Sequence, residues 1–180
     1  MKGDRKPHSD NERILRLGQV DYRIRGSYLV AVLDIEWVVS EILATHFFPS
    51  IRDTRRVDLI QLILRNPGFT LHPKVSALGY LLKRRYKGLW TRYSQTIKKL
   101  DDVVIKHRNL LAHAGSAMND RLLSNPDLDR ILLVAFRKGS AQPITISAKQ
   151  HDIDLKKAEE VRDSLMNLWK DLLKRTSSQD

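Results

Sequence analysis

At 180 residues the chain is long enough for one ordinary domain with a single core, and its 42% hydrophobic and 29% charged residues are those of a globular protein. It contains no cysteine, which excludes disulfides, thiolate metal sites and cysteine nucleophiles, and no apolar run nears the roughly 20 residues a membrane-spanning helix needs. Its 32 Lys and Arg against 21 Asp and Glu leave a net charge of +11, which fits either a basic solvated surface or contact with a polyanion such as nucleic acid.

The start, Met1-Lys2-Gly3-Asp4-Arg5-Lys6, is polar, without the apolar stretch of a secretory signal. Together with the lack of cysteine this leads us to expect a cytoplasmic protein. Residues 1–9 read as a basic, flexible arm. Ser9 followed three residues later by Glu12 has the spacing of a capping box, so a helix is predicted to begin there. Leu17, Ile24, Tyr28, Ala31, Ile35, Val38 and Ile42 recur in steps of seven, four and three, one helical stripe that should end near Phe48-Pro49. Gly18 and Gly26 leave open whether this is one helix or two. A shorter helix fits Thr54 to Leu64, closed by Asn66-Pro67-Gly68.

Pro73 suits a first helical turn, and Val75, Leu78, Leu81 and Leu82 form an apolar face up to the basic run Lys83-Arg84-Arg85-Tyr86-Lys87, with Gly88 as the expected stop. The spacing Trp90, Tyr93, Ile97, Leu100, Val104, His107, Leu111 predicts another helix, ended by Gly115. Asn125-Pro126-Asp127 marks a polar stretch, and Ile131 to Phe136 and Ile144 to Ser147, separated by Lys138-Gly139-Ser140, predict a β-hairpin. Asp154 is a candidate cap for a last helix with the stripe Ala158, Val161, Leu165, Leu168 and Leu172, before a polar tail over residues 176–180. The fold class expected is therefore mainly α: a helical bundle over residues 10–175, with a small β-hairpin before the C-terminal helix.

The signatures of most familiar enzyme classes are missing. There is no Gly-rich phosphate loop, no nucleophile elbow and no acidic calcium loop, and none of the six histidines pairs with another at metal-binding helical spacing. No cofactor and no metal are expected. What stands out is Lys106-His107-Arg108-Asn109-Leu110-Leu111-Ala112-His113-Ala114-Gly115, an Arg and a polar residue followed by a His, all inside one periodic helix. A second Arg65-Asn66 before His72 has similar spacing but contains Pro67-Gly68, which no helix runs through, so it is set aside.

On a helix turning 100° per residue, His113 lies about 140° around and about 7.5 Å along from Arg108. Asp101 would then stack over Arg108, and Asp102 over Asn109 and His113. Val104, Leu100 and Leu111 face the core, and the small Ala112 leaves room beside the polar residues. The plain structural alternative is that Arg108 pairs with Asp101, Asn109 is solvated and His113 meets the last carbonyls of its helix. Half-burial as a packing residue is expected of His107. Glu36 and Glu41 of the first helix are candidate Arg-orienting carboxylates or a solvated face. The basic run with Trp90 and Tyr93 could track RNA and stack bases, the plainer reading being aromatics in the core and cations in solvent.

This run resembles the motif of the HEPN superfamily: an Arg (here Arg108), a polar residue (Asn109), and a His (His113) four to six residues beyond the Arg, on a late helix of a bundle. The resemblance covers about the first two thirds of the chain. It implies a metal-independent endoribonuclease that uses the ribose 2′-OH as nucleophile. In that chemistry His113 transfers the proton, Arg108 binds and stabilises the scissile phosphate, and Asn109 positions the phosphate or the Arg; Asp101, Asp102 and Glu36 are supporting residues. It also implies RNA as substrate, a homodimer that brings two motifs together, and membership of a toxin and antitoxin pair or a phage-defence system, with a neutralising protein partner. The alternatives are a non-catalytic HEPN-like module that binds a protein or nucleotide, and a plain basic RNA-binding domain.

Overall fold

The computed structural model describes residues 9–117, 129–137 and 140–176. The arm over residues 1–8, the Asn125-Pro126-Asp127 stretch, the Lys138-Gly139 turn and the tail from residue 177 lie outside the described residues. The architecture is mainly helical: α1 (Asp10–Phe47), α2 (Thr54–Asp58), a π-helical segment π1 (Leu59–Leu64), α3 (Leu71–Arg85), α4 (Lys87–Lys99), a second π-helical segment π2 (Leu100–Ile105), α5 (Lys106–His113), strands β1 (Gly115–Ala117), β2 (Arg130–Arg137) and β3 (Ser140–Ser147), and α6 (Ala148–Thr176). No described helix is long and apolar enough to cross a membrane.

Two compact units are distinguished, one from residues up to Leu29 with Asn109–Leu155, the other from Val30–Arg108 with residues from Lys156 on. In the second, α1 supplies Ile35, Val38 and Ile42, α3 Leu78 and Leu82, and α6 Leu165, Leu168 and Leu172, all essentially without solvent contact. Each such side chain contributes about 1.5–3 kcal/mol by leaving water. Polar contacts pin α4 to α6: the Tyr93 hydroxyl and Arg92 both donate to Asp171 at 2.8 Å, and the Thr96 and Ser164 hydroxyls meet at 2.7 Å. Trp169 of α6 packs edge-on against Trp37 of α1 and donates its indole N–H to Thr45.

In the other unit the strands form an antiparallel sheet with β2 in the middle, Gly115 opposite Val134 and Ile131 opposite Ile146. Pro143 lies in β3, an edge strand, which is where a sheet tolerates proline. Ile131 and Leu133 of β2 and Ile146 of β3 are buried, as are Leu17, Ile24 and Tyr28 of α1.

The capping box at the start of α1 is formed in both directions: the Ser9 N–H donates to the Glu12 carboxylate at 2.9 Å, and the Glu12 N–H to the Ser9 hydroxyl at 3.4 Å. From there α1 runs unbroken through Gly18 and Gly26 to Phe47, next to the expected stop. Three expectations need correction. Gly88 does not end α3; the break is at Tyr86 (φ −131°, ψ 56°), and Gly88 is the second residue of α4. Asp154 is not the cap of α6, which begins about two turns earlier, because the Ser147 hydroxyl accepts the Gln150 N–H and starts the helix at the end of β3. Gly115 follows the end of α5, as expected, but opens β1, a third strand beside the hairpin.

Candidate functional site

Arg108, Asn109 and His113 all lie in α5, with Asn109 and His113 exposed and Arg108 half-buried. Arg108 closes one compact unit and Asn109 opens the other. Directly before α5 the backbone is π-helical from Leu100 to Ile105. A π-turn closes its hydrogen bond one residue later than an α-turn, so each residue turns less than 100°. That is why Leu100 and Ile105, five apart, are both buried together with Val104. It also removes the basis for stacking Asp101 over Arg108 and Asp102 over the motif, since that registry assumed a uniform α-helix from residue 101 to residue 113.

The three supporting carboxylates each have a partner. Asp101 meets His72 of α3 at 2.9 Å, Asp102 accepts Lys106 Nζ at 3.0 Å, and Glu36 accepts Lys74 Nζ at 2.5 Å. The first two pairs are exposed and contribute little. Lys74 is only 2% exposed, so Glu36 neutralises a cation that has left water. Glu41 does orient an arginine, but that arginine is the buried Arg56, which also donates to the Thr45 hydroxyl at 3.1 Å and to the Phe48 carbonyl at 3.0 Å. His107 is half-buried as expected. Tyr93 is buried, and Trp90 is half-buried with Lys83 Nζ 4.5 Å from its ring centre.

Sequence reasoning missed the device that holds the end of α5 beside His113. Arg25 of α1 donates to the carbonyls of Leu111 and Ala114 and to the Ser116 hydroxyl, while Asp21, one turn earlier, accepts from both Arg25 and Ser116. A cation is thereby placed on carbonyls that the helix leaves without an internal partner. The signal was present as Asp21 and Arg25 four residues apart, but nothing local says which carbonyls they meet.

A second missed group is buried. His151 of α6 is 2% exposed, its Nε2 lies 2.9 Å from the Ser27 hydroxyl, its ring packs edge-on against Tyr28, and its Nδ1 has no hydrogen-bond partner among the described residues. Burial pushes the His151 pKa below the ordinary value against the opposing pull of the Asp152 and Asp154 carboxylates, with Arg23 acting in the same direction as burial. Burial also pushes the Tyr28 phenol well up, helped by the Asp154 carboxylate. The Ser27 hydroxyl donates to the Arg23 carbonyl at 2.6 Å, so its proton is committed and it is not an activated nucleophile. The sequence clue was Tyr28 on the core stripe of α1. In α6, His151 and Asp154, seven and four residues before Ala158, sit on that helix's buried face.

Among the described residues no three His, Asp or Glu side chains converge as a metal site. Comparison with protein-family models, with curated proteins and with solved structures finds no match.

Proposed function

We propose that this chain is a HEPN-type endoribonuclease that cuts RNA without a metal ion and works as a homodimer. The observation that carries the reading is that Arg108, Asn109 and His113 fall within one α-helix, with Asn109 and His113 open to solvent, on a chain of net charge +11. The π-helical segment immediately before them supports it, since such segments recur at functional sites.

In the proposed step the ribose 2′-oxygen attacks the neighbouring phosphorus, the bond from phosphorus to the 5′-oxygen breaks, and a 2′,3′-cyclic phosphate forms. His113 takes the 2′-hydroxyl proton or supplies one to the departing 5′-oxygen, since an imidazole ring nitrogen can serve as acceptor or donor of a proton. The Arg108 guanidinium offers forked donors to the phosphate as its charge grows, and Asn109 positions it.

The test is incubation of the purified protein with matched single-stranded RNA and DNA in excess EDTA. Cleavage of RNA alone, with a 2′,3′-cyclic phosphate end, is expected, because DNA lacks the nucleophile. His113→Ala and Arg108→Ala should each lower the rate about 100-fold or more with little change in melting temperature. Equal cleavage by all three proteins would place the activity elsewhere. No cleavage by the wild type would favour a non-catalytic binding module.

A further inference from the structure

At the C-terminal end of α1 a cavity of about 290 Å³ opens between that helix and α3. Its inner wall is aliphatic, formed by Leu43, Ala77 and Leu81. Phe47 and Tyr80, 60% and 64% exposed, line it where it meets solvent. Two cations of the last turn of α3, Arg84 and Arg85, complete the lining, and no carboxylate contributes to it.

The polar groups of the wall are engaged. The Tyr80 hydroxyl accepts from Arg84 at 3.0 Å, and Nδ1 of His46 is bonded to the Tyr86 hydroxyl at 2.9 Å. A ligand with a hydrogen-bonding edge, such as a nucleobase, would leave that edge unmatched against leucine and alanine, which is costly. A body without polar atoms that ends in an anion has no such penalty, and finds guanidinium groups with forked donors at the rim. At about 30 Å³ for each methylene, close to the share of one water in the liquid, the space takes roughly ten carbons. That is the lower end of the range for small-ligand pockets.

We infer that this cavity is a binding site for a medium-chain aliphatic carboxylate, its chain against Leu43, Ala77 and Leu81 and its carboxylate on Arg85 and Arg84. The inference is independent of the RNA reading, since none of these residues belongs to the α5 motif.

The experiment is isothermal titration of the full chain with hexanoate, octanoate and decanoate below their micelle concentrations, and with decyltrimethylammonium and adenosine monophosphate. Saturable one-to-one binding is expected, tightening about four-fold per added methylene until the cavity is filled. Arg85→Gln, at an exposed position, should weaken decanoate at least ten-fold. Ala77→Trp should abolish binding by filling the space while leaving both arginines, with circular dichroism confirming that it folds. The inference is overturned if decanoate shows no saturable binding, if Arg85→Gln binds as the wild type does, or if the ammonium or the nucleotide binds as tightly as decanoate.

Discussion

The pairing of Ser27 with His151 decides a protonation state. Because the Ser27 hydroxyl gives its proton to the Arg23 carbonyl, its oxygen is left to accept, so Nε2 of His151 carries the hydrogen and the buried Nδ1 is bare. Charging that ring means placing a cation in a site closed to water, and burial accordingly lowers its pKa from the ordinary 6.5. As pH falls, the unfolded chain takes up this proton before the folded one does. The stabilisation is therefore complete above about 6.5 and is lost as pH drops from there through the depressed folded value. His46, also lowered by burial with Arg85 adding to it, acts in the same direction. Urea unfolding between pH 7.5 and pH 5 should show stability falling with pH, and His151→Gln should make that decline shallower. Equal slopes for the two proteins would remove His151 as the cause. Tyr28 and His151 were each visible in the sequence as single residues, Tyr28 as a member of a core stripe. Their meeting was not, since 123 positions separate them and only packing brings a Tyr and a His together.

At the level of elements, apolar periodicity located the helices because burying one stripe is what makes each of them stable. Periodicity does not say where a helix starts when two capping residues compete. Ser147 takes the first turn of α6 and leaves Asp154 inside, on a buried position where it accepts from the Gln150 side chain at 2.9 Å. Nor does it show the π-helical segments, which reveal themselves only when residues five apart, such as Leu100 and Ile105, are both buried. The end of α5 depends on Arg25, whose charge-assisted bonds to carbonyls contribute about 1.5–3 kcal/mol each. Arg25→Met keeps the apolar stem and removes those donors. Hydrogen exchange at the amides of residues 114–116 should then speed up by about ten-fold or more, while amides in α3 stay protected. Unchanged exchange there would mean that α5 ends where it does without Arg25.

For the whole molecule, a charge of +11 and a pI near 10 predict attraction to polyanions whatever the chemistry at α5. If about five phosphates are neutralised, the logarithm of the affinity for single-stranded RNA should fall against the logarithm of salt with a slope of about −3.5, reflecting released counterions. A slope shallower than about −1 would argue that binding is not driven by phosphate contacts. The sequence by itself determined the helical class, the chain order of the apolar helical stripes and the hairpin, the capping box at Ser9 and the grouping of Arg108, Asn109 and His113 on one helix. All of these rest on interactions within a few residues of each other, which periodicity and capping chemistry encode directly. Only the tertiary structure decided that Glu36 serves Lys74 and Glu41 serves Arg56, that Arg25 holds the end of α5, that β1 joins the hairpin, and that an apolar cavity lies under Arg84 and Arg85. Those outcomes depend on which distant side chains share a desolvated space, and a buried charge takes whichever counter-charge packing delivers to it.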